Sequence, residues 1–503
     1  MSLASAWSVA LHGVDGVLVE IEADIGPGLP GLQLVGLPDA ALSEARDRVR
    51  AAVLNSGERW PPRRMTLALS PATLPKVGSG YDIALAAALL AADGTVPADR
   101  LRGTVLLGEL ALDGRLRAVR GVLPAVLAAR RAGMRRVVVA RDALAEAALV
   151  DGLEVRAAAS LADLLSWLRD PAAELDLPGP HRQAPGAPLP DLADVLGQGD
   201  ARWAVEVAAA GGHNLLLTGP PGSGKTMLAQ RMVGLLPQLT DEEALEVTAV
   251  HSVAGLLAPD TPLLTAPPFV APHHTSSVAA LVGGGSGLAR PGAVSRAHRG
   301  VLFLDEAAEF GARSLDALRT PLEEGEVRLA RRDGVARYPA RCQLVLAANP
   351  CPCAPPDERD CECAPSARRR YLLRLSGPLL DRVDLRVPMR PVSRMERAAS
   401  EPESTAAVRE RVARARAAAR ARWAAFGWST NAEVPGPALR RHFRLPREVM
   451  APIEDSLHHG MLTARGADRS LRVAWTIADL AGRDRPMDEH VALALGFRDR
   501  RAA

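Results

Sequence analysis

Short apolar runs and longer helical periods take turns along the first third of the chain. "LVGLPDAALSEARDRVRAAVLNSG" (34–57) reads as a strand end, a turn and an amphipathic helix. "MTLALSP" (65–71) has the length of a strand. "YDIALAAALLAADG" (81–94) is apolar on every face, which marks a buried helix closed by Gly94. "GTVLLGELALDGRL" (103–116) predicts two strands turned at Asp113-Gly114, and "MRRVVVA" and "LEVRAAA" add later strands. This alternation predicts an α/β domain over residues 1–170. Residues 171–190, "PAAELDLPGPHRQAPGAPLP", are proline-rich and aperiodic, as a linker would be. A second α/β unit with a parallel sheet is expected over 191–392. Residues 393–503 carry only helical periods, including "AAVRERVARARAAARARWAAF" (406–426), so an all-α region is expected there.

Composition narrows the class. The chain has 503 residues, a formal net charge of +3 and 24% charged side chains. That length calls for several domains, and so small a net charge gives no global basic field for nucleic acid. Lysine is confined to Lys76 and Lys225, while arginine supplies the other cations. No basic segment followed by an apolar run opens the sequence, and "IALAAALLAA" (83–92) is about half a membrane span of roughly 20 residues. A cytoplasmic protein with no membrane partner is expected.

"NLLLTGPPGSGKTMLAQRMV" is the most specific stretch. Gly219, Pro220, Pro221, Gly222, Ser223, Gly224, Lys225 and Thr226 fit G-x-x-x-x-G-K-[ST] without mismatch, between an apolar strand and a helical period. Glycines let the backbone aim its amides at phosphate oxygens, and the helix adds its positive end. Lys225 would place a charge on the β and γ phosphates of ATP, and Thr226 a hydroxyl on Mg²⁺. In "GVLFLDEAAEF" (300–310) an apolar strand ends at Asp305-Glu306, where open α/β sheets bind ligands. Asp305 is the candidate for holding the Mg²⁺ shell and Glu306 the candidate general base. A third strand, "QLVLAAN", ends at the same edge with Asn349, the sensor-1 position of AAA+ ATPases.

Taken together, "AAAGGHNLLLTGPPGSGKTMLA", "APHHTSSVAALVGGG", "GVLFLDE", "LRTPLEEGEVRLAR", "LAANPCPC", "RLSGPLLDRVDL" and "LRVAWTIADLAG" resemble the YifB/ComM family of magnesium-chelatase-like AAA+ ATPases over nearly the whole length. The resemblance implies a Lon-protease-like α/β N-terminal domain, an AAA+ P-loop core and a helical C-terminal lid. It implies ATP and Mg²⁺ as ligands. It matches Arg382 to an arginine finger that serves the neighbouring subunit, and Arg465 to the sensor-2 arginine of the lid, with Arg469 and Arg472 as competitors. A finger acting in trans implies a homo-oligomeric ring, a hexamer. The family's better-understood role is branch migration in natural transformation, which implies single-stranded or branched DNA as partner. A magnesium-chelatase motor subunit and an ATP-driven protein remodeller are the alternatives.

Two insertions belong to the same resemblance. One spans about 251–297 and holds His273 and His274, an adjacent pair that reads better as loop than as metal ligands. The other, "EVRLARRDGVARYPARC", predicts a hairpin turned at Asp333-Gly334. Its Arg331, Arg332 and Arg337 are the candidate DNA contacts, multiplied by a ring. The stretch "NPCPCAPPDERDCECAP" holds Cys351, Cys353, Cys361 and Cys363, which leave structural Zn²⁺, free thiols and a redox pair open. Finally, "ATLPKVGSGYDIALAAAL" and "LGELALDGRLRAVRGVLPAVLAARRAG" parallel the Lon stretches that hold the serine–lysine dyad. The serine falls at Gly80, beside Ser79, and the lysine at Pro124, so no dyad is expected and proteolysis is not.

Overall fold

The computed structural model describes residues 2–179, 189–258, 262–285, 289–331, 334–355, 360–375, 377–393, 395 and 401–498. Its first unit is a seven-stranded mixed sheet. The strands run Gly31–Val35, Arg64–Ser70, Asp15–Gly26, Ser2–His12, Thr104–Leu107, Arg136–Ala140 and Glu154–Ala158 across the sheet. Every residue of the helix Asp82–Ala92 is buried against it, as the all-round apolar pattern requires. The helix Ala40–Asn55 starts at Asp39, whose carboxylate accepts from the Leu42 amide at 2.8 Å. Two long strands of this sheet were not named from the sequence. Ser2–His12 and Asp15–Gly26 form a long antiparallel hairpin in register from Ser2–Ile25 to His12–Asp15. Its signal is the alternation Val19, Ile21, Ala23, Ile25, each buried and each separated by a polar residue. This is the Lon-protease-like α/β fold. The chain stays on this sheet as far as Asp176, which bridges Ala157, with Leu175 buried below it.

The second unit is a five-stranded sheet in the order Phe269–Val270, Val301–Leu304, Gln343–Ala348, Leu215–Thr218, Leu385–Pro388. Every pairing in it is parallel. Val301–Leu304 and Gln343–Ala348 are buried at each position, the continuous apolar signature of strands covered on both faces. The edge strand Phe269–Val270 lies inside the stretch expected to be an insertion. Parallel pairing places all the carboxyl ends on one edge, and the strand Gln343–Ala348 stands between the strand that enters the phosphate motif and the one that ends at Asp305.

The predicted helical region is present as Thr405–Trp423, Gly436–Arg441, Arg447–His458, Ala464–Leu480 and Asp488–Gly496. One apolar cluster runs through it and the core helices Gly199–Gly211 and Lys225–Leu235 without a break. Buried polar links fix the packing. Trp423 Nε1 donates to Asn431 Oδ1 at 2.8 Å, and Asn431 Nδ2 donates to Thr476 and Asp479 at 3.0 and 2.8 Å. His213, fully buried behind the core helix, meets Thr476 Oγ1 at 2.7 Å. The described part of the chain has no helix long and apolar enough to cross a membrane.

Burial pushes the His213 pKa down to about 4; Asp384 opposes this, while Arg472, Arg469 and Arg416 reinforce it. In the unfolded chain the same imidazole titrates near about 6.5. Between those values the unfolded state takes up a proton that the folded state refuses, so stability present above about pH 6.5 falls as pH falls toward about 4. The thermal midpoint should therefore drop more between about pH 7 and about pH 5 in the native protein than in His213→Asn. Equal slopes in the two proteins would refute that account.

Candidate nucleotide site

The site begins where Leu215–Thr218 ends. Gly222 and Gly224 hold φ of 76° and 94°, a backbone region that costs a residue with a Cβ about 1–2 kcal/mol. A Cβ on Gly219 would collide with the Met389 carbonyl oxygen. These glycines let the loop curl tightly before the helix Lys225–Leu235 starts at Gly224. Gln198, which no motif marks, completes the cradle: its Nε2 donates to the Ser223 carbonyl at 2.9 Å and to Arg390 O at 2.6 Å. The loop is thereby tied to the chain leaving the strand Leu385–Pro388.

Lys225 is folded back into this loop and only 8% exposed. Its Nζ donates to Gly219 O at 2.6 Å, to Pro220 O at 2.9 Å and to Asn349 Oδ1 at 3.2 Å. Burial lowers its pKa, with Asp305 and Glu306 pulling the other way. Its hydrogen-bond acceptors are two carbonyls and an amide rather than a carboxylate, so its charge is available to an anionic ligand. Thr226 Oγ1 donates to Asp305 Oδ2 at 2.7 Å. A hydroxyl and a carboxylate oxygen side by side at the mouth of such a loop are oxygen donors suited to Mg²⁺. Glu306 follows with φ of 49°, a left-handed conformation unusual for a residue with a side chain. Lys225, Thr226, Asp305, Glu306 and Asn349, far apart in sequence, thus meet at the carboxyl edge of one sheet.

His274 joins them. Its Nδ1 lies 3.1 Å from Glu306 Oε2. His273 packs against it at a tilt, with ring centroids 4.1 Å apart, and bonds Thr275 Oγ1 at 2.9 Å. The two histidines therefore diverge, one to its own turn and one to the acidic pair. Among the described residues neither falls in a group of ligating side chains close enough to share an ion; the four cysteines do.

The two arginines lie elsewhere. Arg382 precedes the strand Leu385–Pro388, and its carbonyl accepts from Asn214 Nδ2 at 3.0 Å, just before Leu215–Thr218 begins. Both positions are at the amino edge, separated from the phosphate loop by strands four residues long, about 13 Å. The Arg382 side chain is 7% exposed, paired with Glu323, and donates to Pro378 O at 2.6 Å. Arg465, at the start of the helix Ala464–Leu480, is 72% exposed and reaches Asp381 at 3.5 Å, beside Arg382. Arg469 is bound to buried Asp384 at 2.6 Å, and Arg472 donates to Val434 O at 2.7 Å. Of the three lid arginines, Arg465 alone is open to solvent on this scale.

The hairpin predicted before Asn349 forms, with Glu326–Arg331 paired antiparallel to Gly334–Pro339. Arg332 lies outside the described residues, and of Arg331 only the backbone is described. Arg337 is exposed, and its backbone bridges Gly13 at the turn of the N-terminal hairpin. In the first unit, Lys76 is fully buried with its Nζ on Leu69 O at 3.0 Å and on Pro71 O, and Ser79 Oγ donates to Glu109. Pro124 sits in the helix Val122–Arg131.

Three family models match along the chain: magnesium chelatase subunit ChlI at residues 191–397, subunit ChlI of Mg-chelatase at 21–143, and the ChlI C-terminal region at 402–498. A protein of Mycobacterium tuberculosis is 65% identical over 500 residues, 99% of each chain. YifB of Escherichia coli is 42% identical over 99% of this chain and 97% of its own. Competence protein ComM of Haemophilus influenzae is 41% identical over 99% and 98%. Full-length identity at that level, carried by a P-loop on a parallel sheet with a helical lid, settles the family: the chain belongs to the YifB/ComM group of magnesium-chelatase-like AAA+ ATPases.

Proposed function

We propose that the protein works as a homo-oligomeric ring, a hexamer, that couples ATP hydrolysis to movement on DNA, with branch migration during DNA uptake and recombination as its task. The observation that carries this reading is the separation of the two halves of the site. The phosphate-binding set lies at the carboxyl edge of the sheet, while Arg382 and Arg465 share the amino edge. One chain therefore offers half of each of two sites, and a neighbour is needed to complete either. The DNA part of the reading is supported by the exposed Arg337 on the hairpin and by the name of the Haemophilus relative, a competence protein. Arg331 and Arg332 belong to the same proposed contact. We assign residues 1–170 to the Lon-like domain, 171–190 to a linker whose residues up to Asp176 still pack on that domain's sheet, 191–392 to the core and 393–503 to the lid.

In this reading the amides of Gly219 to Thr226 and the Lys225 ammonium bind the phosphates of ATP. Mg²⁺, held by Thr226 and Asp305, would neutralise charge on the phosphate oxygens. Glu306 takes a proton from the attacking water, and Asn349, already within reach of Lys225, orients that water or the γ-phosphate. Arg382 exchanges its Glu323 partner for the neighbour's γ-phosphate. His274 holds Glu306 away from the water until nucleotide and neighbour are in place.

Glu306→Gln should bind ATP and assemble into rings but hydrolyse about 10²–10⁴-fold more slowly; normal turnover would remove Glu306 from its assigned place. Arg382→Ala should lose about 10³-fold or more in turnover while binding ATP as before. Mixing it with the Glu306→Gln protein should restore part of the activity, because each supplies what the other lacks across a shared interface. His274→Ala should raise the basal ATPase rate severalfold at unchanged ATP affinity; an unchanged rate would make the contact merely structural. The DNA claim rests on a separate measurement. ATPase rate and strand exchange are compared with no DNA, single-stranded DNA and a branched junction, at low and high salt. Neither binding nor stimulation at low salt would sink it, and stimulation by a protein client instead would favour the remodeller.

A further inference from the structure

Outside the nucleotide site, one cluster of reactive side chains stands out among the described residues. The chain leaves the strand Gln343–Ala348 through Asn349 and turns sharply, with Ala354 at φ of 45°. The sulfurs of Cys351, Cys353, Cys361 and Cys363 all lie within 4.8 Å of one another. Cys351 and Cys353 are 3.3 Å apart, Cys353 and Cys361 3.6 Å, and Cys361 and Cys351 3.5 Å. All four are free thiols, well beyond the disulfide length of about 2.05 Å.

These separations fit one kind of occupant. Four sulfurs at about 2.3 Å from a single tetrahedral ion lie about 3.8 Å apart. An iron–sulfur cluster would spread its cysteines over several irons and so push the sulfurs further from one another. Soft thiolates in a tetrahedral set select zinc among the available divalent ions.

We propose that Cys351, Cys353, Cys361 and Cys363 hold one Zn²⁺ ion as a structural brace. Four protein ligands leave no open position, so the ion takes no part in chemistry. Its place in the chain gives the brace a purpose. Cys351 is two residues beyond Asn349 and buried at the sheet's end. Two residues beyond Cys363 the helix Pro365–Leu372 begins, and its Tyr371 is buried in the same apolar cluster as Leu346 and Phe310. Arg374 then reaches Glu309 at 3.1 Å. The ion would clamp the exit of the central strand to the segment that leads on to Arg382. That consequence rests on the function proposed above; the zinc site does not.

Metal analysis of the full-length protein, purified without chelator, should find about one zinc per chain and no iron. The Cys361→Ser/Cys363→Ser double variant should lose nearly all of it, while Cys342→Ser keeps it, since Cys342 lies at the far end of the strand. Because the double variant could misfold, the native protein is also loaded with Co²⁺ in place of zinc. Intense thiolate-to-cobalt charge-transfer bands with tetrahedral d–d bands are expected, and zinc should quench them. Chelation should expose residues 350–365 to limited proteolysis and restoring zinc should protect them. Metal-free protein from zinc-supplemented cultures without cobalt bands would overturn the proposal. So would bound iron, or fewer than five titratable thiols in the denatured, metal-stripped chain. A zinc-loaded chain that fails to hydrolyse ATP would count against the ATPase cycle and leave the brace standing.

Discussion

The strand Leu215–Thr218 is hydrogen-bonded in parallel register to Gln343–Ala348 on one side and Leu385–Pro388 on the other. Parallel pairing forces every neighbour to end at the same edge, and it makes the two edges of the sheet chemically different. Backbone amides of the phosphate loop, the Asp305 and Glu306 carboxylates and the Asn349 amide collect at one edge because no strand may turn back. Asn214, Arg382 and Asp384 collect at the other for the same reason. The distance of Arg382 and Arg465 from the phosphate loop is a consequence of this polarity.

Groups at opposite edges of a sheet keep their places only if the elements that carry them are held firmly. The lid is tied to the core by an unbroken apolar cluster and by buried polar groups that bond across the boundary. His213 meets Thr476, the Asn214 amide donates to Asp384 at 2.9 Å, and Arg469 holds the other oxygen of Asp384. A buried hydrogen bond with ideal partners adds modest stability, yet removing one partner costs about 1–3 kcal/mol, which makes the arrangement specific. Arg465 rides on the same helix as Thr476 and Arg469, so its position beside Arg382 is set by this packing and not by its own contact with Asp381.

In the N-terminal unit the side chains that parallel the Lon dyad region serve structural contacts. Lys76 is spent on backbone carbonyls at the end of a strand, Ser79 on Glu109, and the helix position that parallels the second dyad member carries a proline. What remains is a contact surface. The turn at Gly13 bridges Arg337 of the core hairpin, and the Gly121 amide donates to Ser252 O at 3.3 Å. The glycine at 13 is required there, since a Cβ would run into the Arg337 backbone. The hairpin and the N-terminal unit are therefore joined directly through the backbone.

The sequence by itself determined the contiguous parts: the phosphate loop, the strands that end at Asp305 and Asn349, the buried helix Asp82–Ala92 and the hairpin at 326–339. Each depends on residues close in the chain, where apolar period and glycine placement fix the local backbone. It left the N-terminal hairpin unnamed, although the alternation of Val19, Ile21 and Ala23 was there to be seen. Three relations were decided by the tertiary structure alone. Gln198 ties the phosphate loop to Arg390, His274 faces Glu306, and Arg382 and Arg465 share the edge opposite the nucleotide. No period or motif encodes these, because they join segments 25 to 192 residues apart and arise only once parallel pairing has stacked the strand ends.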